Sequence, residues 1–193
     1  MSNNSTQSRK MNLQIHIEGA IIAAMAFALS LIPINSPNAS FDLSLGLIPL
    51  VVYSLRRGAA AGMTAGLVWG LLLIAVGRAW FLSVPQVIFE YPFAFAFGGI
   101  GGLMGKRVRE SIFSGAKSRL FLKIGLASVI AAFSRWFWHF WAGVVFWSDN
   151  APPGMDPCLW SFIFNGLSAV ANTAMLILVL CPLSRATPKL FCS

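Results

Sequence analysis

Apolar runs follow one another along almost the whole chain, and they carry Gly and Pro inside them. Membrane helices tolerate this and soluble helices rarely do, because neighbouring helices re-satisfy the backbone groups that a proline frees. Only 10% of the 193 residues are charged and 57% are hydrophobic, whereas a soluble domain averages roughly 25% charged residues. Spans fall at approximately 13–32, 44–55, 58–78, 86–105, 120–147 and 157–182. The expected fold is an all-α membrane protein with six transmembrane helices. The second run is short for a bilayer that needs roughly 20 residues, so it tilts, bends or enters only partly. The chain divides into a polar N-terminal tail at 1–12 (disordered over residues 1–10), a six-helix membrane domain at 13–182 and a C-terminal tail at 183–193. No soluble catalytic or nucleotide-binding domain fits in the remainder.

The net charge of +8 would suit nucleic acid, but its distribution argues otherwise. With both termini on one side, that side collects Arg9, Lys10, Arg56, Arg57, Lys106, Arg107, Arg109, Lys117, Arg119, Lys123, Arg185 and Lys189. The other side has Arg78 together with Asp42, Asp149 and Asp156, while Arg135 lies within span five. The positive-inside rule then places both termini in the cytoplasm, and the expected location is the cell membrane, multi-pass and bacterial. The basic charge is a topology signal, and no nucleic-acid partner is expected. Cys158, Cys181 and Cys192 have no metal spacing and are expected to be inert thiols. Arg9-Lys10, an apolar stretch and Ala26-Phe27-Ala28 imitate a cleavable leader. With His16 and Glu18 at the start of that stretch, the expectation is a retained first helix.

Counted from the span ends, Trp69, Glu90, His139 and Asn165 fall at similar depth beneath the outer face, with Trp147 nearer the rim. A carboxylate, an imidazole and a carboxamide are costly in hydrocarbon, so such groups face a protein-lined cavity or a partner. Glu90 lies five residues past Pro85, or roughly 7–8 Å down a helix. Pro92 frees the carbonyl of Ile88 and kinks the helix there. Glu90-Tyr91-Pro92 thus offers a carboxylate, a phenol and a bare carbonyl to a ligand. The alternative is a structural kink in which Glu90 pairs with His139 or Arg135. Those two share a face of span five at i, i+4 spacing, extended by Trp138, Ala142 and Phe146. His139 has no second His or Cys at ligand spacing, so no metal and no cofactor are expected. Five of the seven tryptophans lie between 136 and 160. An interfacial belt explains Trp147 and Trp160 but not the deeper Trp138 or Trp69. Aromatic faces around a carboxylate suit a cation with a flat ring.

Two spans carry stripes of small residues: Ala20, Ala24 and Ala28 in the first, Gly58, Gly62, Gly66 and Gly70 in the third. Such stripes let helix backbones approach closely. For the glycines the expectation is packing within the molecule. The alanines could equally pack internally or dock a separate membrane subunit. Loop 33–43, with Pro33 and Pro37, is long enough to serve as an external lid.

At the polar layer the chain resembles the thiamine-specific substrate-binding (S) components of energy-coupling factor (ECF) transporters. The resemblance rests on Leu45-Gly46-Leu47-Ile48-Pro49, Leu55-Arg56-Arg57-Gly58, Gly66-Leu67-Val68-Trp69-Gly70 and Phe89-Glu90-Tyr91-Pro92-Phe93-Ala94-Phe95. His139-Phe140 with Gly143 and Phe146-Trp147, then Ser161-Phe162-Ile163 with Asn165-Gly166, extend it. It implies six helices and a site near the outer face. Glu90 would bind the aminopyrimidine of thiamine, with His139 and Asn165 completing the polar contacts. Tyr91, Trp69 and Trp147 would form aromatic walls. Arg135 stands where the family has a lysine, and Trp80 and Trp160 where it has tyrosines. Phe41 stands in for the family's lid tryptophan, and Asp42 is a candidate at the hydroxyethyl end. The implied partners are a transmembrane coupling subunit and two ATPase subunits, with Ala20, Ala24 and Ala28 as the docking face. Such a protein is no enzyme.

Two other classes compete. A self-sufficient proton-coupled permease for a small cationic or aromatic metabolite would use Glu90 or His139 as a relay. The small size and the lack of an internal repeat speak against it. An intramembrane enzyme using the same pair as acid and base lacks a nucleophile or metal set.

Overall fold

The computed structural model describes residues 2–32, 34 and 42–192. Helix α1 is Ser2–Ser30, α2 Leu47–Arg57, α3 Ala59–Ala75, α4 Val84–Phe113, α5 Lys117–Phe146 and α6 Pro157–Ala186. The described residues contain no strand. Among the described residues, four stretches are long and apolar enough to cross a membrane: Met11–Ser30 of α1, and all of α4, α5 and α6. Helix α3 is apolar but shorter, and α2 has 11 residues.

Several boundaries differ from the sequence expectation. The N-terminal polar stretch is helical from Ser2 rather than disordered, since it prolongs α1 below its apolar part. Helix α4 runs eight residues beyond the expected end at 105, so the basic hairpin 106–119 shrinks to a turn after Phe113 with Gly115 at φ +66°. The C-terminal segment is no loose tail. Helix α6 continues through Pro182, and Pro188–Phe191 forms a 3-10 turn that buries Phe191 completely. An aromatic ring at the chain end gains more from that burial than from exposure.

The core centres on α2, whose Leu47, Leu50, Val51 and Leu55 are fully buried against Ile124, Leu176, Leu180 and Phe191. Its C-terminal carbonyls are capped from α4, where Arg109 Nη1 donates to Leu55 O at 2.7 Å and Arg56 O at 3.2 Å. Gly58, at φ +95°, then reverses the chain into α3. Helix α1 is locked to α2 by a forked pair, Arg57 Nε and Nη2 donating to Glu18 at 2.8 and 2.7 Å. Tyr53 Oη adds a bond to Ile15 O at 2.7 Å. A bidentate pair of this kind fixes geometry as well as adding energy.

The glycine stripe of α3 packs inside the molecule. A Cβ at Gly62 would come 2.8 Å from Gly99 O, one at Gly70 2.5 Å from Tyr91 O, and one at Gly66 would strike Phe95 O. A Cβ on Gly58, at the turn, would meet nothing within 4 Å, although the Gly58 backbone lies against Gly102 of α4. The alanine stripe goes the other way. Gly19, Ala23 and Ala26 turn into the bundle, while Ala20, Ala24 and Ala28 are exposed on its outside.

Candidate functional site

Helix α4 begins with Ser83 accepting from Gln86 N at 3.4 Å and Pro85 in its first turn. Five residues on, the proline kink takes a definite form: Phe89–Phe93 is a π-helical turn, and Ala94 N–H reaches back to Phe89 O. Extra-wide turns of this kind often mark functional positions. This one turns Glu90 and Tyr91 into a cavity of about 640 Å³, walled also by α1, α5, α6 and residues 42–44.

Eight of the nine residues expected at the site line this cavity: Trp80, Glu90, Tyr91, Arg135, His139, Trp147, Trp160 and Asn165. Trp69 does not. It is fully buried behind Phe95, edge-on with ring centroids 4.4 Å apart, and donates to Ser30 Oγ at 3.3 Å. Phe95, one turn beyond Tyr91 and stacked with it at 5.9 Å, occupies the wall instead. Trp138 also points away from the cavity, into Phe89, Phe93 and Phe97 of α4. Trp136 lines it. Depth was legible in the sequence, but the direction of each ring depended on which helix came alongside.

Glu90 pairs with neither His139 nor Arg135. Its Oε1 accepts from Trp147 Nε1 at 2.5 Å and its Oε2 from Gln86 Nε2. Gln86 is completely buried, accepts from Leu82 N at 3.0 Å and donates to Trp80 O at 3.2 Å. The sequence reading passed over Gln86, although its i, i+4 spacing to Glu90 was a usable signal. The Trp80 ring stands 68% exposed at the rim, and its backbone N–H donates to Tyr91 Oη at 2.8 Å. Trp80 therefore holds the site chiefly through its main chain.

On α5, His139 Nε2 is buried and has no hydrogen-bond partner among the described residues. Across from it, Asn165 Nδ2 donates to Ser161 Oγ at 3.1 Å, and Ser161 Oγ to Phe140 O at 2.8 Å. Gly143 lets α6 come this close, since a Cβ there would collide with Ser161. Trp160 and Phe164 pack at 3.8 Å on the same wall. Arg135 sits over the Phe95 ring at 4.5 Å, with Nη1 2.8 Å from Asp42 Oδ2. Asp42 is itself held: its N–H donates to Ser168 Oγ at 3.1 Å and its carbonyl accepts from Asn172 Nδ2 at 2.7 Å. Asn172 Oδ1 accepts from Ser44 N at 2.9 Å. Asn165, Ser168 and Asn172 recur at helical spacing in an apolar run, a polar stripe that the sequence reading used only at its first member. The expected lid, and Phe41 within it, lie outside the described residues apart from Ile34, Asp42 and Leu43.

The arrangement offers a carboxylate held by neutral donors, a free imidazole nitrogen, a carboxamide and several aromatic faces. Such a set can exchange hydrogen bonds with a small polar ligand and stack against its rings. Among the described residues no three His, Cys, Asp or Glu side chains gather as metal ligands would.

Comparison with known proteins agrees with this chemistry. A family model described as "Thiamine transporter protein (Thia_YuaJ)" matches residues 16–192. A protein named thiamine transporter ThiT from Lacticaseibacillus paracasei is 37% identical over 182 residues, covering 93% of this chain and 90% of its own. One of the same name from Bacillus subtilis is 32% identical over 177 residues, covering 90% of this chain and 92% of its own. A solved structure of ThiT from Listeria monocytogenes superposes with a TM-score of 0.91 at 37% identity, covering 95% of this chain and all of that one. These matches, spanning the helices that build the cavity, place the chain among multi-pass transport proteins rather than enzymes: it belongs to the thiamine transporter protein family.

Proposed function

We propose that this protein captures thiamine at the cavity and serves as the substrate-binding component of an ATP-driven ECF importer. One observation carries the binding assignment: among the described residues, the hydrogen bonds to Glu90, within the apolar stretch Val84–Phe113, come from the neutral donors Gln86 and Trp147. A carboxylate in a desolvated site without a neutralising partner is costly. A cationic, aromatic ligand with amine donors relieves that cost. In this reading the aminopyrimidine meets Glu90, His139 and Asn165. Tyr91, Phe95, Trp147 and Trp160 flank the rings, Trp80 stands at the mouth, and the hydroxyethyl end reaches toward Arg135 and Asp42.

The same reading takes α1 to α6 as six spans of the plasma membrane with both termini in the cytoplasm and the cavity opening outward. The exposed Ala20, Ala24 and Ala28 are the docking face for a transmembrane coupling subunit, which joins two ATPase subunits. Support comes from their outward placement beside Ile21 and Met25, 55% and 48% exposed. Small residues there let a partner helix approach its backbone closely.

Mass spectrometry of protein purified without added vitamin, together with a tryptophan-fluorescence titration, tests the capture role. Copurified thiamine and a saturable quench are expected, since Trp147 and Trp160 border the cavity. A different metabolite in the cavity, with no response to thiamine, would overturn it.

A further inference from the structure

The two acids that line the cavity are matched in different ways. Among the described residues Glu90 receives only neutral hydrogen bonds, whereas Asp42 faces a guanidinium, with Arg135 Nη1 at 2.8 Å. Arg135 is 6% exposed, so the pair is largely removed from water on the arginine side. Asp42 reaches it from a segment 93 residues earlier in the chain. Its position there is built. Ser168 holds its N–H, Asn172 holds its carbonyl, and the same Asn172 takes the Ser44 N–H. Arg78, the remaining cation of the lining, is exposed at the rim and screened by solvent.

A buried guanidinium without a carboxylate is an anion site, because its fork of N–H donors matches phosphate and carboxylate geometry. Paired with Asp42 it carries no net charge and offers little to an anion. We propose that Asp42 sets the charge selectivity of the cavity: by neutralising Arg135 it admits a cation and rejects an anionic, phosphorylated form of the same ligand. This rests on the assignment of thiamine as cargo. The clamp by Ser168 and Asn172 holds the Asp42 backbone, so it survives a change in the Asp42 side chain.

The test is isothermal titration of the purified full chain with thiamine and with thiamine monophosphate, read as the ratio of the two Kd values. Wild type should favour thiamine. Asp42→Asn keeps the shape and leaves Arg135 unmatched, so the ratio should shift toward the phosphate ester on the order of tenfold or more. Arg135→Gln leaves Asp42 unmatched and should move the ratio the other way, away from the ester. Should Asp42→Asn fail to fold, the sign of the Arg135→Gln shift decides alone. Ratios within about threefold of wild type in both variants, or moving in the same direction in both, overturn the inference. Wild-type protein that binds neither compound overturns the cargo assignment and this inference with it. Thiamine binding with unmoved ratios overturns only the latter.

Discussion

Two stripes of small residues, each repeating every fourth position, end in opposite surroundings. Gly62, Gly66 and Gly70 of α3 lie against the backbone of α4, with no room for a Cβ. Ala20, Ala24 and Ala28 of α1 face outward and touch no other helix closely enough to be covered. The difference teaches that such spacing grants permission for close approach without naming the neighbour. A second contrast follows from it. The glycine contact falls on Tyr91 and Phe95, so it sets where one wall of the cavity stands, while none of the three alanines lines it.

Breaking the glycine contact should have the largest effect on binding. Gly66→Leu drives a side chain into the Phe95 carbonyl, and overpacking at a backbone contact costs about 1–3 kcal/mol or more. The expected outcome is a lower Tm and loss of measurable thiamine binding. A variant with wild-type Tm and affinity would show that α4 does not depend on the stripe.

Removing wall chemistry without moving the wall comes next. Glu90→Gln keeps the volume but loses a charge-assisted bond worth about 2–3 kcal/mol, or roughly 30- to 150-fold in affinity. Titration should show at least a tenfold weaker Kd on a monodisperse protein of unchanged Tm. Equal affinity would remove Glu90 from the site.

A smaller loss is expected at Trp147. Phenylalanine keeps most of the aromatic face and deletes the donor to Glu90 at 2.5 Å, a change of about 1 kcal/mol or roughly fivefold. The fluorescence quench on adding thiamine should shrink in parallel. An undiminished quench would assign the signal to Trp136 or Trp160.

The alanine stripe should affect binding least. Ala24→Trp projects a ring outward from the bundle, so thiamine affinity should stay near wild type while cellular uptake and co-purification with a coupling subunit are lost. If binding falls as well, the stripe contributes to internal packing. If uptake persists, the docking face lies on another helix.

Much of the fold was legible because its determinants are local. Hydrophobic run length and interior Gly and Pro mark the helices, and Pro92 marks the break in α4 that becomes a π turn. The candidate residues were legible through depth: a carboxylate, an imidazole and an amide placed far from any span end have few reasons to be there except a cavity. Four of the five residues read by depth, Glu90, His139, Asn165 and Trp147, do surround one space, and the resemblance supplied Trp80 and Trp160 beside them. Where that reasoning fell short, the missing term was orientation. Trp69 sits at the expected depth, but its ring turns toward Ser30 and Phe95 because α1 and α4 close over it. Asn172 escaped notice because its partners Asp42 and Ser44 are brought in by folding, whereas Gln86 was within reach through its local spacing to Glu90.

The sequence by itself determined the helical class, the approximate helices and the polar residues of the cavity lining, because hydrophobic length and the cost of burying polar groups act residue by residue. Tertiary structure alone decided which partners those groups take. Asp42 and Arg135 are 93 residues apart, as Glu90 and Trp147 are 57 apart, and no period or motif encodes such a meeting. It also decided that one stripe of small residues is covered and the other is not. Helix packing is a competition among all available faces, and its outcome depends on every helix at once.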